Sequence, residues 1–82
     1  MKNPLIQKSI LKILNRLDRV ALRETTLASE VEIAIDRPLT TSEFTDELLF
    51  LAQRDLIQRD RDSFDETLWS ITQKGELALR GL

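Results

Sequence analysis

The segment from Thr40 to Thr72 constrains the fold most, because a well-marked helix runs directly into two short strands there. Thr40-Thr41-Ser42-Glu43 has the pattern of a capping box, in which a hydroxyl and a carboxylate three residues later accept hydrogen bonds from backbone amides. The pattern predicts a helix from about Ser42 to Arg54-Asp55, and its apolar stripe comprises Phe44, Leu48, Leu51 and Ala52. Residues 56–61 and 67–72 then read as strands joined by the polar link 62–66, which predicts a hairpin.

Two helices and a short strand are predicted ahead of this segment. Asn3-Pro4 is a strong helix start, and we expect the first helix to end near Asp18. Its predicted apolar stripe is Leu5, Ile6, Ile10, Ile13, Leu14 and Leu17. Residues 20–23 suit a single short strand.

The next segment is ambiguous between helix and strand. Residues 27–35 follow a helical period through Leu27, Val31, Ala34 and Ile35, with Thr25 and Thr26 available as a cap. Val31, Ile33 and Ile35 also alternate as a strand would, but we predict a short helix. Pro38 then predicts a turn at residues 36–39. At the other end of the chain, Thr72 can cap a last short helix through Leu79, with Gly81 as its stop.

Composition excludes several classes of function. The 82 residues are enough for one domain, predicted to span 1–82, and they include neither Cys nor His. The usual zinc ligands, a thiolate nucleophile and the neutral-pH acid–base group are therefore missing, so we expect no catalysis, no metal and no cofactor. No stretch has the length of a membrane span and no signal peptide is evident, which predicts a cytoplasmic protein without membrane contact.

Charge is unevenly distributed along the chain. The net charge is −2, but residues 1–24 are basic and residues 40–66 are acidic. Several cations can share one face of the first helix, namely Lys8, Lys12, Arg16 and Arg19. This face either contacts DNA backbone or an acidic partner, or is an ordinary solvated helix face. The acidic residues near the hairpin link do not match a calcium-loop pattern, and a solvated turn is the expected role for them.

The order of these elements resembles the winged-helix fold. Leu51-Ala52-Gln53-Arg54-Asp55-Leu56-Ile57 leads into the hairpin, and Ile71-Thr72-Gln73-Lys74-Gly75 is similar to the end of the second wing strand in small prokaryotic and phage regulators. Asp55 departs from the pattern, since many relatives carry Gly there. The resemblance implies an α+β, mostly helical fold: a three-helix core, a short strand, a two-stranded antiparallel wing and a short C-terminal helix.

The same resemblance implies a transcription-regulator-like protein that binds double-stranded DNA through its third helix and its wing. Candidate nucleic-acid contacts are Thr41, Ser42, Thr45, Gln53, Arg59 and Arg61. The charge of the helix opposes this role, because Glu43 and Asp46 would face phosphate. Three carboxylates, Asp60, Asp62 and Asp65, are also close enough in sequence to pair with the two wing arginines. The alternative is that the candidate residues on the third helix form a helix cap and solvated surface, and that the two arginines form solvated ion pairs.

A protein-interaction module without DNA binding is the competing interpretation. Leu48 to Ala52 is a run of five apolar residues, so Leu49 and Phe50 should fall outside the core stripe. They then either favour a homodimer or a protein partner, or are buried under the wing or the amino-terminal segment. Phe64, in the hairpin link, is a third candidate contact. Trp69 and Ile71 alternate on one strand face and are expected to close the core.

Overall fold

A computed structural model describes residues 3–16 and 21–81 of the chain. The elements in order are α1 Pro4–Arg16, β1 Leu22–Arg23, α2 Glu24–Ile35, α3 Thr41–Gln53, β2 Ile57–Arg61, β3 Thr67–Ile71 and α4 Gln73–Arg80. The predicted mostly helical α+β fold, with a two-stranded hairpin after the third helix, is confirmed.

Helix α1 lies at the centre of this arrangement and contacts α2, α3, α4 and β3. The side chain of Asn3 caps it, since Oδ1 accepts hydrogen bonds from the amides of Leu5 at 3.0 Å and Ile6 at 3.4 Å. Its buried residues are Ile6, Ser9, Ile10, Leu11, Ile13 and Leu14. Leu5 was predicted to join this stripe but is exposed, because α1 turns that side to solvent. Leu17 and the predicted end near Asp18 lie outside the described residues.

Helix α2 begins earlier than its apolar pattern suggests. Strand β1 occupies residues 22 and 23 of the predicted 20–23, and Val20 lies outside the described residues. Thr25 and Thr26 do not cap α2, because the helix already starts at Glu24 and Arg23 is the cap residue, without a side-chain hydrogen bond. The helical interpretation itself is confirmed: Leu27 and Val31 are buried, whereas Ile33 and Ala34 are exposed.

The turn between α2 and α3 is held by hydrogen bonds to both helices. Asp36 ends α2 in the left-handed conformation with φ of 59°, and the Glu32 carboxylate accepts a 2.7 Å hydrogen bond from the Leu39 amide. The predicted capping box is confirmed, since Thr40 Oγ1 accepts from the Glu43 amide at 3.0 Å and Glu43 Oε1 accepts from the Thr40 amide at 3.4 Å. Helix α3 therefore starts at Thr41, one residue before the predicted position.

The three strands form an antiparallel sheet in the order β1-β3-β2. Ile57 pairs with Ile71 and Arg61 with Thr67, so the hairpin has the predicted strands and link. Trp69 is buried as predicted, and its indole Nε1 donates a 2.8 Å hydrogen bond to the Glu24 carboxylate, which ties the sheet to α2. Asp55 precedes the hairpin with φ of 61°, a conformation in which Gly is unstrained. Asp55 therefore holds a left-handed conformation that glycine would adopt without strain.

Helix α4 packs back onto the body of the molecule through its first turn. The predicted cap is confirmed, because Thr72 Oγ1 accepts a 3.0 Å hydrogen bond from the Gly75 amide. A Cβ atom on Gly75 would lie 2.1 Å from the carbonyl oxygen of Leu56 and 2.8 Å from the Ile71 side chain. Gly75 therefore lowers helix propensity but permits a backbone contact that any other residue would prevent.

A single apolar cluster joins these elements. It consists of Ile6, Ile10, Leu11, Ile13, Leu14, Leu27, Val31, Phe44, Leu48, Leu51, Ile57, Trp69 and Ile71. Every helix from α1 to α3 and both hairpin strands contribute to it, so the position of α3 depends on all of them. Within the described ranges, the helices lack the combination of length and apolar character needed to cross a bilayer.

We expect Gly75→Ala to lower the free energy of unfolding by roughly 1–3 kcal/mol, the usual effect of overpacking a site that must shift its backbone. Urea denaturation would measure the change. Gly81→Ala is the matched control, because the nearest atom to its Cβ lies at an ordinary 3.6 Å and its φ is −79°. Equal stabilities of the two variants would show that the contact between Gly75 and Leu56 is not close.

Candidate nucleic-acid interface

Helix α3 presents one polar side to solvent. The outer face of α3 is defined here as Ser42, Asp46, Leu49 and Gln53, all of which are exposed as predicted. Their spacing of three or four residues places them in one row along the helix. Thr41 is exposed at the start of the helix, and Thr45 lies half-buried beside the outer face. Four predicted DNA contacts (Thr41, Ser42, Thr45 and Gln53) therefore lie on or next to one accessible surface.

Glu43 does not carry a free negative charge to this surface. Its carboxylate meets the Arg37 guanidinium in two contacts, Nη2 to Oε2 at 2.8 Å and Nη1 to Oε1 at 3.3 Å. The hydrogen bond from Arg37 lowers the pKa of Glu43 below its ordinary range, and the Thr40 amide contributes in the same direction. Because Arg37 lies six residues earlier, in the turn, this pair also links the turn to the first helical turn of α3.

Glu47 points into the protein and is 1% exposed. Its two carboxylate oxygens accept hydrogen bonds from the Asn3 amide at 2.9 Å and from Gln7 Nε2 at 2.8 Å. Glu47 is not among the residues predicted from the sequence, although its position one turn after Phe44 and one turn before Leu51 places it on the buried stripe. Glu47 fixes the start of α1 against α3 and leaves the outer face unaffected.

The expectation of an acidic recognition surface therefore needs correction. Of the carboxylates on α3, Glu43 is paired with Arg37, Glu47 is buried, and only Asp46 remains exposed without an ion pair among the described residues. Arg37 was not singled out from the sequence, because the turn geometry that brings it to Glu43 depends on the left-handed Asp36.

The wing carries two exposed arginines with different surroundings. Arg59 and Arg61 alternate along β2, on the same side of the strand. Arg61 Nη1 lies 2.8 Å from Asp65 Oδ1, which raises the pKa of Arg61 and offsets its charge. Within residues 3–16 and 21–81, Arg59 makes no ion pair. The predicted neutralisation of the wing therefore applies to Arg61 and not to Arg59.

The tip of the wing is a polar turn with one apolar side chain. Asp62 Oδ1 accepts hydrogen bonds from the amides of Phe64 and Glu66, each at 2.9 Å, and Asp65 adopts a left-handed φ of 64°. Arg23 on β1 approaches Glu66 at 3.3 Å. In the described part of the chain, no three potential ligands are grouped closely enough to hold a metal ion.

The three candidate partner contacts lie in different places. Phe64 is 81% exposed at the wing tip, and Leu49 is 44% exposed at the centre of the outer face. Phe50 lies outside the buried stripe of α3 as predicted but is half-buried, because it packs against the core, with the Arg54 guanidinium 4.4 Å from its ring centre. Contact of any of them with a protein partner stays a prediction.

The basic side of α1 is also exposed. Lys8, Lys12 and Arg16 reach solvent along this helix, whereas Arg19 lies outside the described residues. Lys8 lies beside Phe50 and Arg54 along a groove between α1, α3 and α4. At Lys8 this basic surface therefore borders the Phe50 and Arg54 side of α3.

Two helices joined by a short turn, with a hairpin after the second of them and a short strand completing the sheet, define a winged helix. No protein-family model matches the chain, and no curated protein matches it in sequence. Solved structures do match it in fold. F93 from STIV, a winged-helix DNA-binding protein, is 17% identical with a TM-score of 0.83, covering 99% of this chain and 86% of its own.

Two further structures extend the comparison. RosR of H. salinarum has a TM-score of 0.80 at 18% identity, covering 93% of this chain and 66% of its own. A MarR-family transcriptional regulator from Silicibacter pomeroyi has a TM-score of 0.76 at 18% identity, covering 93% of this chain and 47% of its own. The chain thus spans about two thirds of RosR and about half of the MarR-family protein. At these identities the likeness shows a shared fold.

We expect the pair of Arg37 and Glu43 to make stability depend on pH. Because the folded pKa of Glu43 is lowered, its contribution is present above the ordinary carboxyl range near pH 4 and is lost as the pH falls through the folded value. Urea denaturation between about pH 6 and pH 3 would measure this loss.

Glu43→Gln is the informative control for this experiment. Glutamine can still complete the capping box but does not titrate, so the variant should lose less stability than the wild type over the acidic range. Arg37→Gln should behave in the same way, because it removes the cause of the lowered pKa. Identical pH profiles for all three proteins would contradict the assignment.

Proposed function

We propose that this chain is a non-catalytic, cytoplasmic winged-helix domain that binds double-stranded DNA and acts in transcription regulation. The observation that carries the proposal is the outer face of α3, which is accessible along its length while two of the three carboxylates of the helix are paired or buried. An exposed helix of about 10–12 Å diameter fits a major groove about 12 Å wide.

Hydroxyl groups at the start of α3 supply the polar contacts in this proposal. Thr41, Ser42 and Thr45 carry side chains that both donate and accept hydrogen bonds, so they can meet phosphate oxygens or base edges. The positive end of the helix dipole lies at the same place and favours phosphate. Gln53, at the far end of the helix, has an amide suited to adenine or to backbone oxygen.

The wing adds positive charge beside the helix. Arg59 is exposed and makes no ion pair within the part of the chain that the structure describes, so it can meet a phosphate without first losing a partner. Arg61 must exchange its contact with Asp65 for a phosphate. Since each phosphate contact adds about 0.9 to the slope of log K against log salt, the few candidate contacts and the net charge of −2 predict modest affinity with a shallow salt dependence.

The comparisons support a regulatory role over an enzymatic one. F93 is a winged-helix DNA-binding protein, and the Silicibacter pomeroyi protein is a transcriptional regulator of the MarR family. Both share this fold over more than nine tenths of the chain. Since a fold hosts many activities, the exposed α3 and the free Arg59 carry the argument for this particular chain.

Two copies of the chain acting together fit the role better than one. A single recognition helix contacts few base pairs, whereas two related copies read half-sites one helical turn apart and so double the contacts. We therefore propose a homodimer on DNA. Titration of a labelled duplex at concentrations above the dissociation constant should saturate at two chains per site, and saturation at one would exclude the dimer.

The DNA-binding proposal predicts different effects for the two wing arginines. Arg59→Ala should weaken binding to a mixed-sequence duplex and reduce the slope of log K against log salt by about 0.9, the value for one lost phosphate contact. Arg61→Ala should change the slope less, because Asp65 already offsets its charge. Fluorescence anisotropy at several salt concentrations, starting low, would measure both.

Asp46→Asn should strengthen binding in the same assay, because it removes the exposed carboxylate of the outer face. Circular dichroism would check that each variant remains folded. Absence of binding to any duplex at low salt would refute the proposed function.

A further inference from the structure

Leu49 is an apolar side chain at the centre of an otherwise polar surface. It is 44% exposed on the outer face of α3, with Asp46 one turn before it and Gln53 one turn after it. We propose that Leu49 contacts the C5 methyl group of thymine in the major groove, so that the chain prefers duplexes rich in A·T pairs. This inference rests on the proposed function and names the class of DNA that the site selects.

The fold keeps Leu49 out of the core. Phe44, Leu48 and Leu51 occupy the buried side of α3, and Glu47 completes that side with its contacts to α1. Leu49 follows Leu48 by one residue and is therefore rotated about 100° away from it around the helix. Its exposed surface becomes buried only when another molecule covers the outer face.

Thymine is the base whose major-groove edge matches an aliphatic side chain. Its C5 methyl is the apolar group that this groove displays, whereas the other groups that define the code are hydrogen-bond donors and acceptors. Contact between a leucine and this methyl removes apolar surface of both from water. Uracil, which pairs as thymine does but lacks the methyl, would lose that contact.

The polar residues around Leu49 disfavour guanine. Guanine presents two acceptors, N7 and O6, which Arg or Lys reads best, and the sequence of α3 from Thr41 to Gln53 contains neither. The exposed carboxylate of Asp46 is an acceptor itself, so it repels these atoms and instead suits the amino group of adenine or cytosine. Because Asp46 suits the amino groups of adenine and cytosine alike, the preference for A·T pairs rests on thymine contact by Leu49 and on the lack of Arg and Lys in α3.

Spacing allows these residues to act on neighbouring base pairs. Leu49 and Gln53 are four residues apart, or about 6 Å along the helix axis. Two base-pair steps of about 3.4 Å cover a similar distance. Where α3 lies along the groove, thymine contact by Leu49 and adenine contact by Gln53 are therefore compatible within one short A·T segment.

The experiment compares three alternating duplexes, namely poly(dA-dT), the same duplex with uracil in place of thymine, and poly(dG-dC). Wild-type protein should bind the thymine duplex roughly fourfold more tightly than the uracil duplex, the factor expected for burial of one methyl group. It should bind the G·C duplex more weakly than either. Leu49→Ala should bind the thymine and uracil duplexes equally.

The variant separates contact from DNA shape, because uracil also changes the duplex itself. Leu77→Ala is the matched control, since Leu77 is a 58% exposed leucine on α4 and not on α3, and this variant should keep the wild-type ratio. Both substitutions remove exposed side chains, so both proteins should fold.

The outcomes distinguish failure of the thymine contact from failure of DNA binding itself. Equal binding of thymine and uracil duplexes by the wild type, or an unchanged ratio in Leu49→Ala, overturns the inference and leaves DNA binding intact. No binding to any duplex overturns the proposed function itself. If sedimentation shows that Leu49→Ala separates a wild-type dimer while the ratio is unchanged, Leu49 is a protein contact and the inference is wrong.

Discussion

The presentation of α3 depends on a polar contact inside an otherwise apolar core. Glu47 lies within the buried face of the helix and accepts hydrogen bonds from the Asn3 amide and the Gln7 side chain. Such hydrogen bonds matter because a buried polar group left without a partner costs about 1–3 kcal/mol. They are directional, unlike the leucine packing around them, so they set the rotation of α3 as well as its depth. That rotation decides which residues reach solvent.

The acidic character of the middle of the chain is therefore a poor guide to the potential near α3. Each of its carboxylates has a separate local role: Glu43 completes a capping box and an ion pair, Glu47 orients two helices, and Asp62 closes the wing turn. These roles follow from hydrogen-bond geometry, which a count of charges does not contain. Asp46 makes no such contact among the described residues and stays exposed on the outer face of α3.

Local signals in the sequence were sufficient for much of the fold. The capping box at Thr40 and the strands flanking residues 62–66 follow from spacing of a few residues, and each is present in the structure. The start of α2 could not be predicted from local signals. Thr25 and Thr26 are ordinary cap residues, but the helix begins before them, at Glu24. The Glu24 carboxylate accepts a hydrogen bond from the Trp69 indole. A contact over forty-five residues overrides a local preference there.

In the candidate site, too, local spacing predicts some features and long-range packing decides others. Exposure of Ser42, Leu49 and Gln53 follows from the helical period once Phe44 and Leu48 are placed in the core. The half-burial of Phe50 does not, because it depends on how α1 and Leu56 lie beside α3. Long-range partners of this kind become visible only when the elements have been assembled.

Turns made by aspartate have a consequence for rigidity. Asp36, Asp55 and Asp65 hold left-handed backbone among the described residues, where neither described glycine does. Aspartate tolerates this conformation at some strain, but it samples fewer conformations than glycine when the chain is unfolded, so less entropy is lost on folding. Asp36 and Asp55 flank α3, and Asp65 lies at the tip of the wing. Replacing any of the three by glycine would relieve the backbone strain but increase the entropy that the chain loses on folding.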